Sequence, residues 1–299
     1  MNILITGAWN NWERHREVIE AMGHRIAFLQ QEKDALPVPF DWVEGIICNG
    51  FFLHHEADHF PNLKFVQLTS AGFDRIPAKD LRTRGICLHN ARGVYSVPMA
   101  EFALSGVLQL YKRSRFFEKN QQSHRWEKHR GLLELAGKIV CILGCGSVGT
   151  ECAKRFQAFG CRVVGIDLYP SKNPSYTEMH ALSVMDTVLP QADVVVLTLP
   201  LPEQTRHLID AHRLAAMKPG AILVNIARGA VVDTDALISA LEGHLGGAVL
   251  DVFEEEPLQE SSPLWDMDHV VLTPHNSFVG EGNSDRLAGR ILENLERYT

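Results

Sequence analysis

No stretch of the 299-residue chain runs to about 18 apolar residues without a polar break, so the sequence supplies no membrane-spanning helix. Its start, MNILITGAWNNWERHRE, lacks a basic leader, a long apolar core and a small-residue cleavage site. It reads as a short buried strand followed by a polar helix, and no signal peptide is expected. Excess positive charge is missing as well. With 29 Lys and Arg against 36 Asp and Glu, the net charge is −7, which argues against a nucleic acid or an anionic membrane as partner. The six cysteines (Cys48, Cys87, Cys141, Cys145, Cys152, Cys161) include no CxxC pair and no His spacing suited to zinc. No metal is therefore expected. Buried or half-buried thiols fit a reducing compartment, and the cytoplasm is the expected location. Low-complexity tracts and fixed-period repeats are absent too, and the length suits two domains, each able to bury a core.

What the chain does have is a regular alternation of short apolar runs with amphipathic segments, the pattern of α/β layers with mostly parallel sheets. The first hundred residues carry strand candidates at 2–6, 25–29, 45–48, 64–68 and 86–89, with a helix over 11–22 closed by Gly23. A long helix is expected from about Pro98 to Gln121, then a polar stretch HRWEKHRG at 124–131. A second series follows at 138–143, 162–167, 193–199, 221–225, 247–251 and 270–273. Near-continuous apolar strands of this kind are covered on both faces. The tail after 273 is too short to be a domain and must dock on one already built.

The glycines of GCGSVG (144–149) directly follow the strand KIVCIL and open an amphipathic helix, and the next strand ends in Asp167. In that setting the motif is a dinucleotide fingerprint. Gly144 permits the tight turn, Gly146 lets the backbone approach a pyrophosphate, and Gly149 lets helix and sheet pack closely. The helix N-terminus favours the phosphates. A carboxylate at Asp167 would accept from ribose hydroxyls and repel a 2′-phosphate, so NAD is expected over NADP.

SAGFD (70–74), the Gly-rich turn, ADVVVLTLPLPEQT (192–205), MKPGAILVNIARGAVVD (217–233), GAVLDVFEEEP (247–257) and TPH (273–275) recur in an order that resembles the NAD-dependent D-isomer-specific 2-hydroxyacid dehydrogenases. The resemblance covers nearly the whole chain. It implies two doubly wound parallel-sheet domains, with a Rossmann cofactor domain (96–272) inserted into a flavodoxin-like substrate domain (1–95 plus 273–299). It implies a homodimer through the cofactor domain, and a small 2-keto or 2-hydroxy acid as substrate. By matching position it makes Arg228, Glu256 and His275 catalytic. Beside the glycines and Asp167, it places Ser147, Val148, Leu199, Pro200, Thr205, Ala227 and Asp251 at the cofactor, with Asp251 toward the nicotinamide. Ala71 and Gly72 join Arg228 and His275 at the substrate.

The chemistry accounts for these residue types. A guanidinium can grip a carboxylate with two parallel bonds and polarise the adjacent carbonyl. Imidazole titrates near neutral pH and can deliver or take the proton that accompanies hydride transfer. Glu256, restrained by Pro257, would hold the other ring nitrogen, while Glu254 and Glu255 are expected to face solvent. His54, His55, His59 and His269 have no comparable context and are expected to be surface or core residues. Two departures from the family bear on substrate choice: Tyr95, where many relatives have Asn, and the polar Asn276-Ser277-Phe278 after the histidine. A non-catalytic, corepressor-like NAD sensor on the same fold is the alternative reading.

Overall fold

Apolar runs bounded by turn residues form eleven of the twelve strands among the described residues, and every strand pairing is parallel. The computed structural model describes residues 1–200 and 203–298. The chain divides into two compact units, Met1–Tyr95 with Gly280–Thr299, and Ser96–Val279. One is inserted into the other. No helix among the described residues is long and apolar enough to cross a membrane.

In the first unit, β1 (Asn2–Thr6), β2 (Arg25–Leu29), β3 (Gly45–Cys48), β4 (Phe65–Leu68) and β5 (Cys87–His89) lie in the order β2-β1-β3-β4-β5. That is the flavodoxin-like order. Successive side chains point to opposite faces, so Ile3, Ile5 and Ile47 join Trp9, Trp12 and Ile19 in one core cluster while Leu4, Ile46 and Cys48 join Phe51 and Phe60 in another. The C-terminal helix, Asn283–Leu295, lays Leu287, Ala288, Ile291 and Leu295 into the first of these clusters. Its Asn294 Nδ2 donates to Gln67 Oε1 at 2.8 Å, satisfying a glutamine buried in β4.

The second unit contains β6 (Ile139–Leu143), β7 (Arg162–Asp167), β8 (Glu178–Ala181), β9 (Val194–Leu197), β10 (Ile222–Asn225), β11 (Gly247–Leu250) and β12 (Val270–Leu272). Their order is β12-β11-β10-β9-β6-β7-β8, the Rossmann order with one further parallel strand. The sequence reverses direction between β6 and β9, and the carboxyl ends of strands at such a switch point are where ligands bind. Alternation again divides the core: Cys141, Leu143, Val195 and Leu197 on one face, Val140, Ile142, Val194 and Val196 on the other.

Four features differ from the sequence reading. The second crossing falls after Val279 rather than 272, because Asp251 of the inserted unit holds Thr273, Asn276 and Ser277 through its carboxylate. The helix expected over 98–121 is two helices, Ser96–Tyr111 and Ser114–Gln122. Leu133 N–H takes the Tyr111 carbonyl and Lys112 Nζ takes the Leu133 carbonyl, so the first helix stops and Arg113 turns with φ 51°. Strand β8 has no apolar run. It is a polar edge strand held to β7 alone, with Arg162 paired to Glu178. Cys87, on edge strand β5, is exposed rather than buried.

Helix Ser96–Tyr111 crosses the sheet so closely that a Cβ on Gly106 would meet Val249 Cγ1 at 2.4 Å. Gly106→Val is therefore expected to overpack this contact and to destabilise the protein by about 1–3 kcal/mol, read as a lower urea midpoint; an unchanged midpoint would mean the helix can lift off without cost.

Candidate active site

The carboxyl ends of β7, β6, β9, β10, β11 and β12 follow one another along a single edge of the sheet. At β6 the chain turns through Gly144, whose φ of +95° and a distance of 2.9 Å from a would-be Cβ to Leu199 N leave no place for a side chain. A Cβ on Gly149 would lie 2.0 Å from the Gly144 carbonyl oxygen, so helix Ser147–Ala158 starts flush against the turn. Thr198 Oγ1 donates to that same carbonyl at 2.5 Å and ties the turn to β9. Gly146 is the opposite case. It is exposed, and nothing lies within 4 Å of a Cβ built there.

No side chain caps this helix, so its positive end and first amides are directed at an incoming anion. Asp167 stands beside the turn, with Oδ2 accepting from Cys145 N at 2.7 Å and Oδ1 from Tyr169 N at 3.0 Å. Each carboxylate oxygen has a second lone pair for a ribose hydroxyl. Burial holds the Cys145 thiol up at about 11, so it stays neutral beside this carboxylate. After β9, Leu199 is buried, Pro200 is exposed, and Thr205 Oγ1 donates to the Pro200 carbonyl at 2.8 Å. A turn with one open glycine, an uncapped helix start and a fixed carboxylate one strand away fits a dinucleotide.

Further along the edge, β10 ends in Asn225, a polar residue only 1% exposed. Its side chain accepts from Ala227 N and donates to the Arg228 carbonyl, both at 3.1 Å, which fixes the backbone on either side of the arginine. Arg228 Nη1 donates to the Ala227 carbonyl at 2.8 Å. A Cβ on Gly229 would sit 1.8 Å from the Phe253 carbonyl carbon, so the loops after β10 and β11 touch backbone to backbone.

Asp251, directly after β11, is buried and organises the loop after β12. Its Oδ1 accepts from Thr273 Oγ1 at 2.6 Å and Asn276 N at 2.7 Å, its Oδ2 from Ser277 N at 3.0 Å, and its backbone carbonyl from His275 N at 2.8 Å. His275 is held inside this wrap with φ 51°, a left-handed conformation that costs a non-glycine residue on the order of 1 kcal/mol. The result is aim: His275 Nδ1 meets Glu256 Oε2 at 2.9 Å. Glu256 Oε1 accepts from Phe253 N at 3.0 Å, so the carboxylate is fixed at both oxygens. With Nδ1 donating to a carboxylate, Nε2 is the ring atom left for proton exchange. The Phe278 ring stands edge-on to the imidazole, centroids 6.2 Å apart.

In the other unit, the SAGFD loop follows β4. The Ser70 carbonyl accepts from Ala91 N, that of Ala71 from Asn90 Nδ2, and that of Gly72 from Ser70 Oγ. The N–H groups of Ala71 and Gly72 meet no acceptor among the described residues.

Glu254 is exposed, as expected, and also makes contacts that its charge run did not signal. It pairs with His207 Nε2 at 2.5 Å and accepts from Thr234 N, the first residue of helix Thr234–Gly243, at 3.0 Å. Glu255 is exposed too, bonded to Gln259 at the surface. Asp251 carries the His275 loop, a structural duty that the sequence reading had not given it. Asn225, Thr198 and His207 were not singled out either. A polar residue closing an apolar strand, as in ILVN, is the signal that marks Asn225; His207 carries none. Among the described residues no cluster of His, Cys, Asp and Glu could hold a metal ion.

A dinucleotide turn, a fixed arginine and a carboxylate-held histidine at neighbouring strand ends define an NAD-binding oxidoreductase of the α/β type. The NAD-binding domain of the D-isomer specific 2-hydroxyacid dehydrogenases matches residues 104–277. A glyoxylate reductase of Pyrococcus furiosus is 38% identical over 298 residues, covering 95% of this chain and 84% of the relative. Among solved structures, a D-isomer specific 2-hydroxyacid dehydrogenase family protein of Aeromonas salmonicida superposes with a TM-score of 0.85 at 29% identity, over 99% of this chain and 94% of the other. One from Xanthobacter autotrophicus, in complex with NADPH and MES, gives 0.81 at 31% identity, over 99% and 94%. The chain belongs to the D-isomer specific 2-hydroxyacid dehydrogenase family.

Burial pushes the Glu254 carboxyl up, but hydrogen bonds from Thr234 and His207 outweigh that and hold it below its ordinary value of 4.5. A lowered folded value means that Glu254 stabilises the fold above the unfolded value and loses this effect as pH falls through the folded one. Wild type should therefore exceed Glu254→Gln in stability at pH 7, with the gap closing below about pH 4. Denaturant midpoints at the two pH values measure it; a gap that widens in acid contradicts the pairing.

Proposed function

We propose that the protein reduces a small 2-keto acid to the D-2-hydroxy acid with NADH, using Arg228, Glu256 and His275. The observation that carries this reading is the His275–Glu256 pair at 2.9 Å, held at the end of the strand beside β11 while Arg228 ends the strand on the other side. Two strand spacings separate those ends, about 10 Å, room for a substrate of a few heavy atoms.

When bound, the nicotinamide would supply the hydride that the keto carbon accepts. Arg228 grips the carboxylate and draws electron density toward the carbonyl oxygen. His275 delivers the proton from Nε2 to that oxygen as the carbonyl becomes an alcohol, and Glu256 keeps the ring in place through Nδ1. In the oxidative direction the same nitrogen takes the proton back. The Ala71 and Gly72 amides bind the substrate carboxylate. Gly144, Gly146, Ser147, Val148, Gly149, Leu199, Pro200, Thr205 and Ala227 line the cofactor, and Asp251, with three of about four lone-pair positions used, offers the last to the nicotinamide carboxamide. Asp167 favours NAD over NADP through its charge. Glyoxylate is the first substrate to try, since the Pyrococcus relative bears that name.

The test is a panel of 2-keto acids, glyoxylate and pyruvate included, with NADH and with NADPH. Turnover with NADH exceeding that with NADPH, and D-configured products from the larger acids, are expected. His275→Ala should bind NADH as wild type does and lose about 10²–10⁴-fold in rate. NADH binding without turnover of any member would favour a sensing protein on the same fold.

A further inference from the structure

Three consecutive carbonyls at the start of the SAGFD loop, those of residues 69–71, are taken by one short segment, residues 90–95, which ends where helix Ser96–Tyr111 begins. Tyr95 Oη donates to the Thr69 carbonyl in a short hydrogen bond. Ala91 N donates to that of Ser70 at 2.9 Å, and Asn90 Nδ2 to that of Ala71 at 2.5 Å. Asn90 Oδ1 accepts from Arg92 N, which closes the segment on itself and fixes the amide's orientation. On the far side, Thr69 N donates to the Cys48 carbonyl at 2.8 Å, so the loop's root is anchored to β3 as well.

A peptide unit whose carbonyl is held in one direction sends its N–H in the other. Clamping the carbonyls of residues 69, 70 and 71 therefore fixes the N–H groups of residues 70, 71 and 72, and none of the three has an acceptor among the described residues. Fixed amides bind an anion without spending binding energy on ordering the loop. Burial raises the Tyr95 phenol above its ordinary value, so its hydroxyl remains a neutral donor throughout the working pH range.

We propose that Tyr95 and Asn90 are positioning residues for substrate carboxylate: they orient the Ala71–Gly72 amides by holding the carbonyls behind them. This rests on the 2-keto acid reading above, and it deepens that reading. It also gives the Tyr95 hydroxyl a definite task. The hydroxyl reaches the Thr69 carbonyl across the full length of an aromatic side chain, and phenylalanine keeps the ring but not the bond.

Tyr95→Phe and Asn90→Ala are measured against wild type in two ways. In steady-state kinetics with glyoxylate, each should raise KM about tenfold, with kcat and the KM for NADH within about twofold of wild type. Hydrogen exchange of the peptide spanning 89–95, whose Ala91 N–H donates to the Ser70 carbonyl, should be faster in both variants than in wild type, while β6 and β9 exchange as before. A general loss of packing would move kcat, NADH affinity and exchange everywhere together, and that outcome overturns the proposal. So does an unchanged glyoxylate KM in both variants, or unchanged exchange at Ala91. If wild type reduces no 2-keto acid, the dehydrogenase reading falls by itself, and the exchange measurement alone decides whether the clamp exists.

Discussion

One buried carboxylate sets the geometry on which the rest of the site depends. Asp251 ends β11 and takes a hydroxyl and two amides of the next strand's loop, while its own backbone carbonyl takes the amide of His275. A carboxylate buried to 1% exposure would be costly without partners. Here its three acceptor bonds are all to one loop, so the cost of burial and the order of the loop are the same fact. The left-handed backbone at His275 follows, since four bonds to one residue over-determine a conformation the chain would not choose alone.

Position along the sheet edge then assigns the parts. Asp167, the glycine turn, Leu199, Arg228, Glu256 and His275 belong to the ends of consecutive strands, in that spatial order. Three strand spacings, about 14 Å, separate the Asp167 strand from the Arg228 strand, a span suited to an extended dinucleotide laid across the switch point. No residue needs a long reach. The parallel sheet supplies the ruler, and the loops supply the chemistry.

Much of this was legible in the sequence because the forces responsible are local. Eleven strands announce themselves as aliphatic runs, for parallel strands buried on both faces admit little else. The glycine turn is readable because each glycine answers a steric demand within a few residues. What stayed hidden depends on partners far away in sequence. The edge strand Glu178–Ala181 is made by pairing and not by composition. The end of helix Ser96–Tyr111 is decided by Leu133, and the crossing after Val279 by Asp251. In DVFEEEP the run of like charges conceals three different environments. Glu254 takes the first amide of a helix and pairs with His207, Glu255 meets solvent and Glu256 holds a histidine. Only the loop's path, pinned at Gly229, separates them.

The central claim is that Asp251 serves the reaction through His275. A double-mutant cycle tests it most directly: single-turnover oxidation of saturating NADH by glyoxylate in wild type, Asp251→Asn, His275→Ala and the double variant. The account predicts that Asp251→Asn slows the reaction severalfold when His275 is present and much less once the imidazole is gone, the remainder reporting its contact with the nicotinamide. An equal slowing in both backgrounds would contradict it.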